Sequence, residues 1–181
     1  MKWAIEGRRA MVGIVVVSHS RALGDAAVAL AREMVPDAAV RIEVAAGLDE
    51  TTFGTDAVAI AEAITAADDG AGVLAVMDVG SAILSAEVAL KLLDDDRRDR
   101  GRLSAGPLVE GLLAASVAAA GGASLEEVAL EADSGLAGKV AQVGAPSTGT
   151  AATGRSSEPQ APPASREPGP TEPRTSPDRS G

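Results

Sequence analysis

Three short apolar runs, each followed by an alanine-rich segment, constrain the fold of this chain more than any other feature. The first run, residues 12–18, is rich in valine and lacks the polar alternation of a strand with one solvated face. Two similar runs occupy residues 40–45 and 72–77. The segments after the runs predict helices over residues 22–34, 55–67 and 81–93. This order predicts an α/β fold, a three-layer, doubly wound, mainly parallel sheet of about four strands with helices on both faces.

The charged stretch after the third helix interrupts this alternation. Residues 94–102 mix acidic and basic side chains and predict a solvated loop, with a short edge strand around residues 102–104. A fourth helix is predicted over residues 107–120, because Pro107 suits a first turn and the pair Gly121–Gly122 suits a helix end.

Local signals also predict one helix start and one helix face. Ser124 and Glu127 have the spacing of a capping box, which predicts a final helix ending near Ala132. In the second helix, we expect three branched residues to lie on or near the buried face. They are Val58, Ile60 and Ile64.

The two ends of the chain differ in composition from the region between them. Residues 1–10 lack a packing pattern and precede a second methionine, so we predict an N-terminal extension there and the folded domain over residues 11–143. Residues 144–181 are rich in Pro, Ser and Gly, and we predict a disordered tail that can be deleted without loss of stability. The apolar run near the N-terminus is too short for a membrane span, which favours a cytoplasmic protein.

The composition excludes several classes of function. The chain has no cysteine and a single histidine, so cysteine nucleophiles and zinc sites built from thiolates or several imidazoles are excluded. The net charge of −10 argues against binding to nucleic acid or to anionic membranes. A small-molecule or protein partner is therefore expected.

Polar residues follow each of the three predicted strands, at residues 18–21, 45–56 and 77–82. The carboxyl ends of parallel strands meet at one edge of a sheet, so we expect these stretches to lie close together. His19 would be the nucleophile, and Asp78 would orient its ring or, alternatively, cap the next helix. The candidate phosphate-binding residues are Ser20, Gly54, Thr55, Gly80 and Ser81. Ser81 and Thr55 also suit helix caps.

Missing motifs narrow the chemistry of this site. The chain contains no GxxxxGK[ST] loop, no GxGxxG after the first strand and no GxSxG nucleophile elbow. A reactive imidazole beside anion-binding helix termini, without a nucleotide-binding loop, is typical of a phosphohistidine carrier.

Four stretches carry a resemblance to a known family. They are GIVVVSHSRALGDAAVALAREM, AAGLDETTFGTD, MDVGSAILSAEVALKLLDDD and GPLVEGLLAASVAAA. From about residue 11 to residue 130, the chain resembles the mannose-type enzyme IIA domain of the DhaM family, the phosphocarrier subunits of phosphoenolpyruvate-dependent dihydroxyacetone kinases. The pair VSHS and MDxGSA is the most specific part of the match.

The resemblance implies a function in phosphoryl transfer, as a subunit of a dihydroxyacetone phosphotransferase. His19 would accept the phosphoryl group of phosphoenolpyruvate through enzyme I and HPr, and pass it to ADP on the DhaL subunit. The ATP so formed would phosphorylate dihydroxyacetone bound to DhaK. Asp78 corresponds to the carboxylate of MDxGSA, and Gly54–Thr55 and Gly80–Ser81 to the loops around the histidine. The resemblance also implies a homodimer, and no directly bound cofactor is expected.

Three other functions remain open from the sequence. A mannose-family sugar transporter component would use the same His19 chemistry with another acceptor. A signalling module would be phosphorylated without turning over a metabolite, and a small α/β hydrolase would need a second base. Neighbouring genes for DhaK and DhaL would distinguish the first two from the kinase. Some family members carry fused HPr-like and enzyme I-like domains, which are absent from this sequence, so separate proteins are expected to supply the phosphoryl group.

Overall fold

A computed structural model describes residues 10–36 and 40–144 of the chain. Within these residues, the central sheet contains four parallel strands. They are β1 (Gly13–Ser18), β2 (Ile42–Ala46), β3 (Val73–Met77) and β4 (Gly101–Leu103). Their spatial order is β2-β1-β3-β4, and β1 pairs with both β2 and β3. The predicted edge strand is therefore confirmed as β4. The predictions for the two ends of the chain concern residues that lie almost wholly outside the described ranges.

Seven helices surround the sheet within the described residues. They are α1 (Arg21–Met34), α2 (Ala57–Ala67), α3 (Gly80–Leu92), α4 (Asp95–Asp99), α5 (Leu108–Ala120), α6 (Leu125–Asp133) and α7 (Ala137–Val143). None of these helices is long and apolar enough to cross a membrane.

Two apolar cores lie on opposite faces of the sheet. Ile14 and Val16 of β1 pack in one core with α1, α5 and α6. Val15 and Val17 pack in the other with α2 and α3. Both faces of β1 are thus covered, which explains why its sequence has no polar alternation. The predicted three-layer α/β fold is confirmed.

The structure differs from the sequence predictions in two helices. The charged stretch predicted as a loop contains α4, which Asp94 caps by accepting a hydrogen bond from the Arg97 N–H. The ion pairs Arg97–Asp94 and Arg98–Asp95 have i,i+3 spacing and stabilise this short helix. The prediction of a solvated loop did not take this spacing into account. The helix α7 was not predicted, because none of its residues is buried and its sequence shows no core pattern.

The prediction for the buried face of α2 was also wrong at one of its three residues, Val58. Ile60 and Ile64 are buried, but the side chain of Val58 is 56% exposed. Small residues form much of the buried face instead, including Ala61 and Ala67. The predicted capping box of α6 is present, with hydrogen bonds in both directions between Ser124 and Glu127.

Candidate functional site

The candidate site lies at the carboxyl edge of the sheet, where β1 and β3 end side by side. The chain leaves β1 toward α1 and leaves β3 toward α3, which pack on opposite faces. The loops after two such strands diverge and leave a crevice, the usual ligand position in open α/β sheets. His19 follows β1, and Asp78 follows β3.

Asp78 holds His19 through both of its carboxylate oxygens. Asp78 Oδ1 lies 2.9 Å from Nδ1 of the imidazole. Asp78 Oδ2 accepts a hydrogen bond of 2.8 Å from the backbone N–H of His19 and one of 3.0 Å from the hydroxyl of Ser18. The histidine is therefore fixed at the backbone and at the ring.

The same hydrogen bonds keep Asp78 ionised. Partial burial raises the pKa of the Asp78 carboxyl, but the bonds from the His19 N–H, the His19 ring, the Val79 N–H and the Ser18 hydroxyl outweigh burial and hold the pKa below its usual value. A carboxylate can only accept hydrogen bonds, so Nδ1 must carry the proton of the neutral imidazole. The Nε2 lone pair is then available.

Ser81 faces that second ring nitrogen. Its Oγ lies 2.7 Å from Nε2, and the hydroxyl donates to the lone pair in the neutral tautomer. Ser81 is the second residue of α3, whose N-cap residue, Val79, provides no side-chain cap. The free N–H groups of a helix N-terminus favour a negative charge at this position. The imidazole itself is 26% exposed, so another molecule can approach it.

Of the five predicted phosphate-binding residues, Ser81 has a side-chain contact with the imidazole ring. The other four have the following positions and contacts. Ser20 caps α1 by accepting a hydrogen bond from the Leu23 N–H. Thr55 pairs with Ser85 at 2.7 Å between their hydroxyl oxygens. Gly54 donates from its N–H to the backbone carbonyl of His19 at 2.9 Å. Gly80 begins α3, next to Ser81.

The predicted capping roles are wrong for three residues. Asp56, not Thr55, caps α2 by accepting a hydrogen bond from the Val58 N–H. Val79, not Ser81 or Asp78, is the N-cap residue of α3. The Val79 N–H donates a hydrogen bond of 2.7 Å to Asp78, but Val79 precedes the first residue of the helix. Asp78 also accepts hydrogen bonds from Ser18 and His19, at the end of β1. The cap alternative for Asp78 therefore does not describe its geometry.

Two further residues contribute to the site. Ser18 is fully buried, and its Oγ also accepts a hydrogen bond of 3.1 Å from the Ser20 N–H. A lone polar residue at the carboxyl end of an otherwise apolar strand was the signal for this role. Ser85, the partner of Thr55, lies among the apolar residues of α3, and no local signal identifies it. Among the described residues, no group of three His, Asp or Glu side chains could hold a metal ion.

Sequence comparison links this site to a known family. A family model described as the PTS system fructose IIA component, EIIA-man, matches residues 13–129. A relative from Escherichia coli (strain K12), named "PEP-dependent dihydroxyacetone kinase, phosphoryl donor subunit DhaM", is 47% identical over 142 residues, or 77% of this chain and 30% of the relative. A relative of the same name from Pantoea ananatis is 50% identical over 74% of this chain and 29% of its own length. The chain thus spans about 30% of the length of these relatives.

This chain covers most of the length of a shorter relative and of two solved structures. The "PEP-dependent dihydroxyacetone kinase 2, phosphoryl donor subunit DhaM" of Listeria innocua is 38% identical over 59% of this chain and 85% of its own. The crystal structure of EF1359, of unknown function, is 31% identical with a TM-score of 0.61, over 68% of this chain and 93% of that one. A sigma-54 interaction domain protein from Enterococcus faecalis has a TM-score of 0.58 over 77% of this chain and all of its own, but at 15% identity it supports the fold alone.

Proposed function

This chain belongs to the EIIA-man family, and we propose that it is a phosphohistidine carrier of the DhaM type, in which His19 takes a phosphoryl group from HPr and passes it to ADP. The observation that carries this proposal is the pairing of Nδ1 with Asp78, which leaves Nε2 at the N-terminus of α3 beside Ser81. The names of the relatives support the choice of dihydroxyacetone kinase over a sugar transporter or a signalling module.

In the first step, the Nε2 lone pair attacks the phosphorus atom of phosphorylated HPr. The new bond joins phosphorus to Nε2, while the bond to the donor imidazole breaks and its electron pair stays on the donor nitrogen. The Nδ1 proton remains on His19, so the phosphorylated ring carries a positive charge. Asp78 stabilises that charge through the contact of 2.9 Å to Nδ1.

The phosphoryl oxygens need hydrogen-bond donors as Nε2 is modified. Ser81 has to turn its hydroxyl from the Nε2 lone pair to a phosphoryl oxygen, and the N–H groups at the start of α3 at Gly80 provide further donors. Ser20, Gly54 and Thr55 remain proposed phosphate-binding residues. They lie in the neighbouring loops, but their present contacts are with other protein atoms.

In the second step, ADP bound to a DhaL subunit is the acceptor. A terminal β-phosphate oxygen attacks phosphorus, the bond to Nε2 breaks, and the electron pair returns to Nε2. The ATP formed on DhaL then phosphorylates dihydroxyacetone held by DhaK, so this chain carries the phosphoryl group and never binds the sugar. The phosphoryl group is cargo, and the carrier needs no resident cofactor. Because phosphoenolpyruvate and ADP are cytoplasmic metabolites, this role implies a cytoplasmic protein.

Reconstitution tests the function directly. The chain is incubated with phosphoenolpyruvate, enzyme I and HPr, and then with DhaL–ADP, DhaK and dihydroxyacetone. We expect one acid-labile, base-stable phosphate per chain and its loss on addition of DhaL–ADP, with formation of dihydroxyacetone phosphate. His19→Gln should remain unlabelled. Full labelling of that variant, or a phosphorylated chain that DhaL–ADP cannot discharge, would reject the proposal.

We also propose that the chain forms a homodimer through α3. This helix buries three alanines and exposes a row of larger aliphatic residues, Leu84, Val88 and Leu92. The i, i+4, i+8 spacing forms a ridge that packs against the same ridge of a second helix. Glu87 and Lys91 follow the same spacing, so an antiparallel crossing of two copies can bring opposite charges together.

One substitution in the ridge and one matched control test the dimer. Val88 on α3 and Val117 on α5 are exposed to similar extents, 47% and 52%. We expect light scattering to give the mass of two chains for the native protein and for Val117→Glu, but of one chain for Val88→Glu. A dimeric Val88→Glu protein, or a monomeric native protein at micromolar concentration, would contradict this interface.

A further inference from the structure

A pair of hydroxyl groups joins the start of α2 to α3, close to the candidate site. Thr55 Oγ1 lies 2.7 Å from Ser85 Oγ, and both residues are half-buried. Thr55 precedes Asp56, the N-cap residue of α2, and Ser85 lies in the second turn of α3. The hydrogen bond between the two hydroxyls therefore connects elements that are 30 residues apart in the sequence.

Each partner of this pair is close to a group that contacts His19. On the α2 side, Gly54 precedes Thr55, and its N–H donates a hydrogen bond of 2.9 Å to the backbone carbonyl of His19. On the α3 side, Ser85 follows Ser81 by four residues and so lies on the same face of the helix. The Ser81 Oγ lies 2.7 Å from Nε2 of the imidazole. The pair thus completes a closed series of contacts from the His19 backbone to the His19 ring.

Neither a side-chain cap nor a bulky buried side chain fixes the start of α3. The helices α1 and α2 have side-chain caps, from Ser20 and Asp56, but the N-cap residue of α3 is Val79, which provides none. The buried residues of α3 are all alanines. Short side chains form low ridges, so their packing fixes the rotation of a helix less firmly than the packing of large side chains. A hydrogen bond from the second turn of α3 can supply the missing restraint.

We propose that the Thr55–Ser85 pair positions α3 so that the Ser81 hydroxyl and the N–H groups at the helix start face Nε2. The proposal rests on the carrier function proposed above. During transfer, Ser81 has to turn its hydroxyl from Nε2 to a phosphoryl oxygen, and the helix must keep its place while this happens. If Ser85 donates to Thr55, the Thr55 hydroxyl keeps its own proton for a phosphoryl oxygen. Ser85 is therefore a positioning residue, which acts through α3 and Ser81.

A double-mutant cycle tests the pair. The variant Ser85→Ala removes one hydroxyl, and Thr55→Val removes the other with little change in shape. We expect Ser85→Ala to lower kcat for transfer from phosphorylated HPr by about fivefold, the ratio for one hydrogen bond of ordinary strength, with a native KM. In the Thr55→Val background, the same substitution should change kcat by less than about twofold, because its partner is already absent. A similar loss in both backgrounds, or a native kcat in Ser85→Ala, would overturn the proposal.

The imidazole provides a second readout that does not depend on phosphoryl transfer. His19 is the only histidine of the chain, so ¹⁵N labelling of histidine gives the two nitrogen resonances of one ring. At a pH at which the ring is neutral, Ser85→Ala should move the Nε2 resonance in the same direction as Ser81→Ala does. The Nδ1 resonance should move less, because Asp78 still holds that nitrogen. A native Nε2 resonance in Ser85→Ala would overturn the positioning role.

Matched controls separate positioning from the loss of any helical hydroxyl. Thr65→Val removes a hydroxyl that donates to the Ala61 carbonyl in α2, and Ser116→Ala removes one that donates to the Leu112 carbonyl in α5. Both should keep the native kcat and the native Nε2 resonance, and a loss like that of Ser85→Ala would overturn the assignment. A native protein that HPr does not label would instead reject the proposed function, and the Nε2 resonance would still decide the role of the pair.

Discussion

Two loops at the carboxyl edge of the sheet use the same set of hydrogen bonds, but only one of them carries a reactive group. After β1, the Ser18 hydroxyl and the His19 N–H donate to Asp78 at 3.0 and 2.8 Å, and the Ser20 N–H donates to the Ser18 hydroxyl at 3.1 Å. We call these four residues the β1 cluster.

After β4, the bonds repeat with other residues. The Ser104 hydroxyl and the Ala105 N–H donate to Asp133 at 2.7 and 2.8 Å, and the Gly106 N–H donates to the Ser104 hydroxyl at 3.0 Å. These residues form the β4 cluster. In both clusters a serine at a strand end and a carboxylate from another element fix the first turn of the following loop.

The clusters differ in what the carboxylate does with its second oxygen. Asp78 uses Oδ2 for the backbone and Oδ1 for the imidazole, whereas Asp133 uses Oδ1 for all three of its bonds to the loop. The helix start also differs, because Ser81 at the second position of α3 corresponds to Val109 in α5. The hydrogen-bonded turn is therefore a structural element. One histidine, a carboxylate whose second oxygen contacts the imidazole, and one hydroxyl convert it into a candidate phosphoryl site.

Moving the histidine from one cluster to the other is the most severe test of this comparison. The double variant His19→Ala, Ala105→His places an imidazole after β4, where no hydroxyl occupies the position equivalent to Ser81. We expect complete loss of HPr-dependent labelling, measured as phosphate per chain. Labelling at a rate near native would show that the turn alone is sufficient and that the α3 start is dispensable.

The variant Asp78→Asn tests the contact between Asp78 Oδ1 and the imidazole, and it should have the second largest effect on phosphoryl transfer. Asparagine preserves the shape and can still bond to the backbone, but it removes the negative charge beside the phosphorylated ring. Transfer from excess HPr should slow by tenfold or more, in the range of about 10–100-fold that partners of this kind contribute. Far-UV circular dichroism should remain native. Normal transfer by this variant would leave Asp78 with a purely structural role, like that of Asp133.

The sequence was sufficient to predict that His19, Asp78 and Ser81 lie together, but it was insufficient to predict the β4 cluster, for a physical reason. His19, Asp78 and Ser81 follow two strands whose apolar runs are unmistakable, and parallel strands must bring their carboxyl ends together. Ser104 and Asp133 are joined by a contact between a short edge strand and the end of α6, which no periodic pattern encodes. The exposure of Val58 was missed because rotation of a helix rich in alanine and branched residues is set by packing rather than by a polar stripe.

Asp133→Ala should affect stability and leave phosphoryl transfer near the native rate. The substitution removes the acceptor for the Ser104 hydroxyl and for two backbone N–H groups, and Ser104 is buried. Because Asp133 itself is exposed, we expect a loss of about 1 kcal/mol in the free energy of unfolding, which lowers Tm by roughly 4 °C. Calorimetry and HPr-dependent labelling measure the two quantities. A tenfold slower transfer would show that the β4 cluster also positions the site.

Acidification should produce the smallest effect, a change in the contribution of Asp78 to the free energy of unfolding. The direction of this change follows from the pKa of Asp78. Hydrogen bonds hold this pKa below its usual value despite partial burial, so the folded state favours the ionised form. Its contribution to stability is complete above the unfolded-state pKa of about 3.9 and is lost as the pH falls through the lower folded-state pKa. The difference in unfolding free energy between the native protein and Asp78→Asn, measured in urea, should therefore shrink as the pH falls below about 4. A difference that grows as the pH falls below about 4 would mean that the β1 cluster prefers a protonated carboxyl, and Nδ1 could then no longer be assigned as the donor to Asp78.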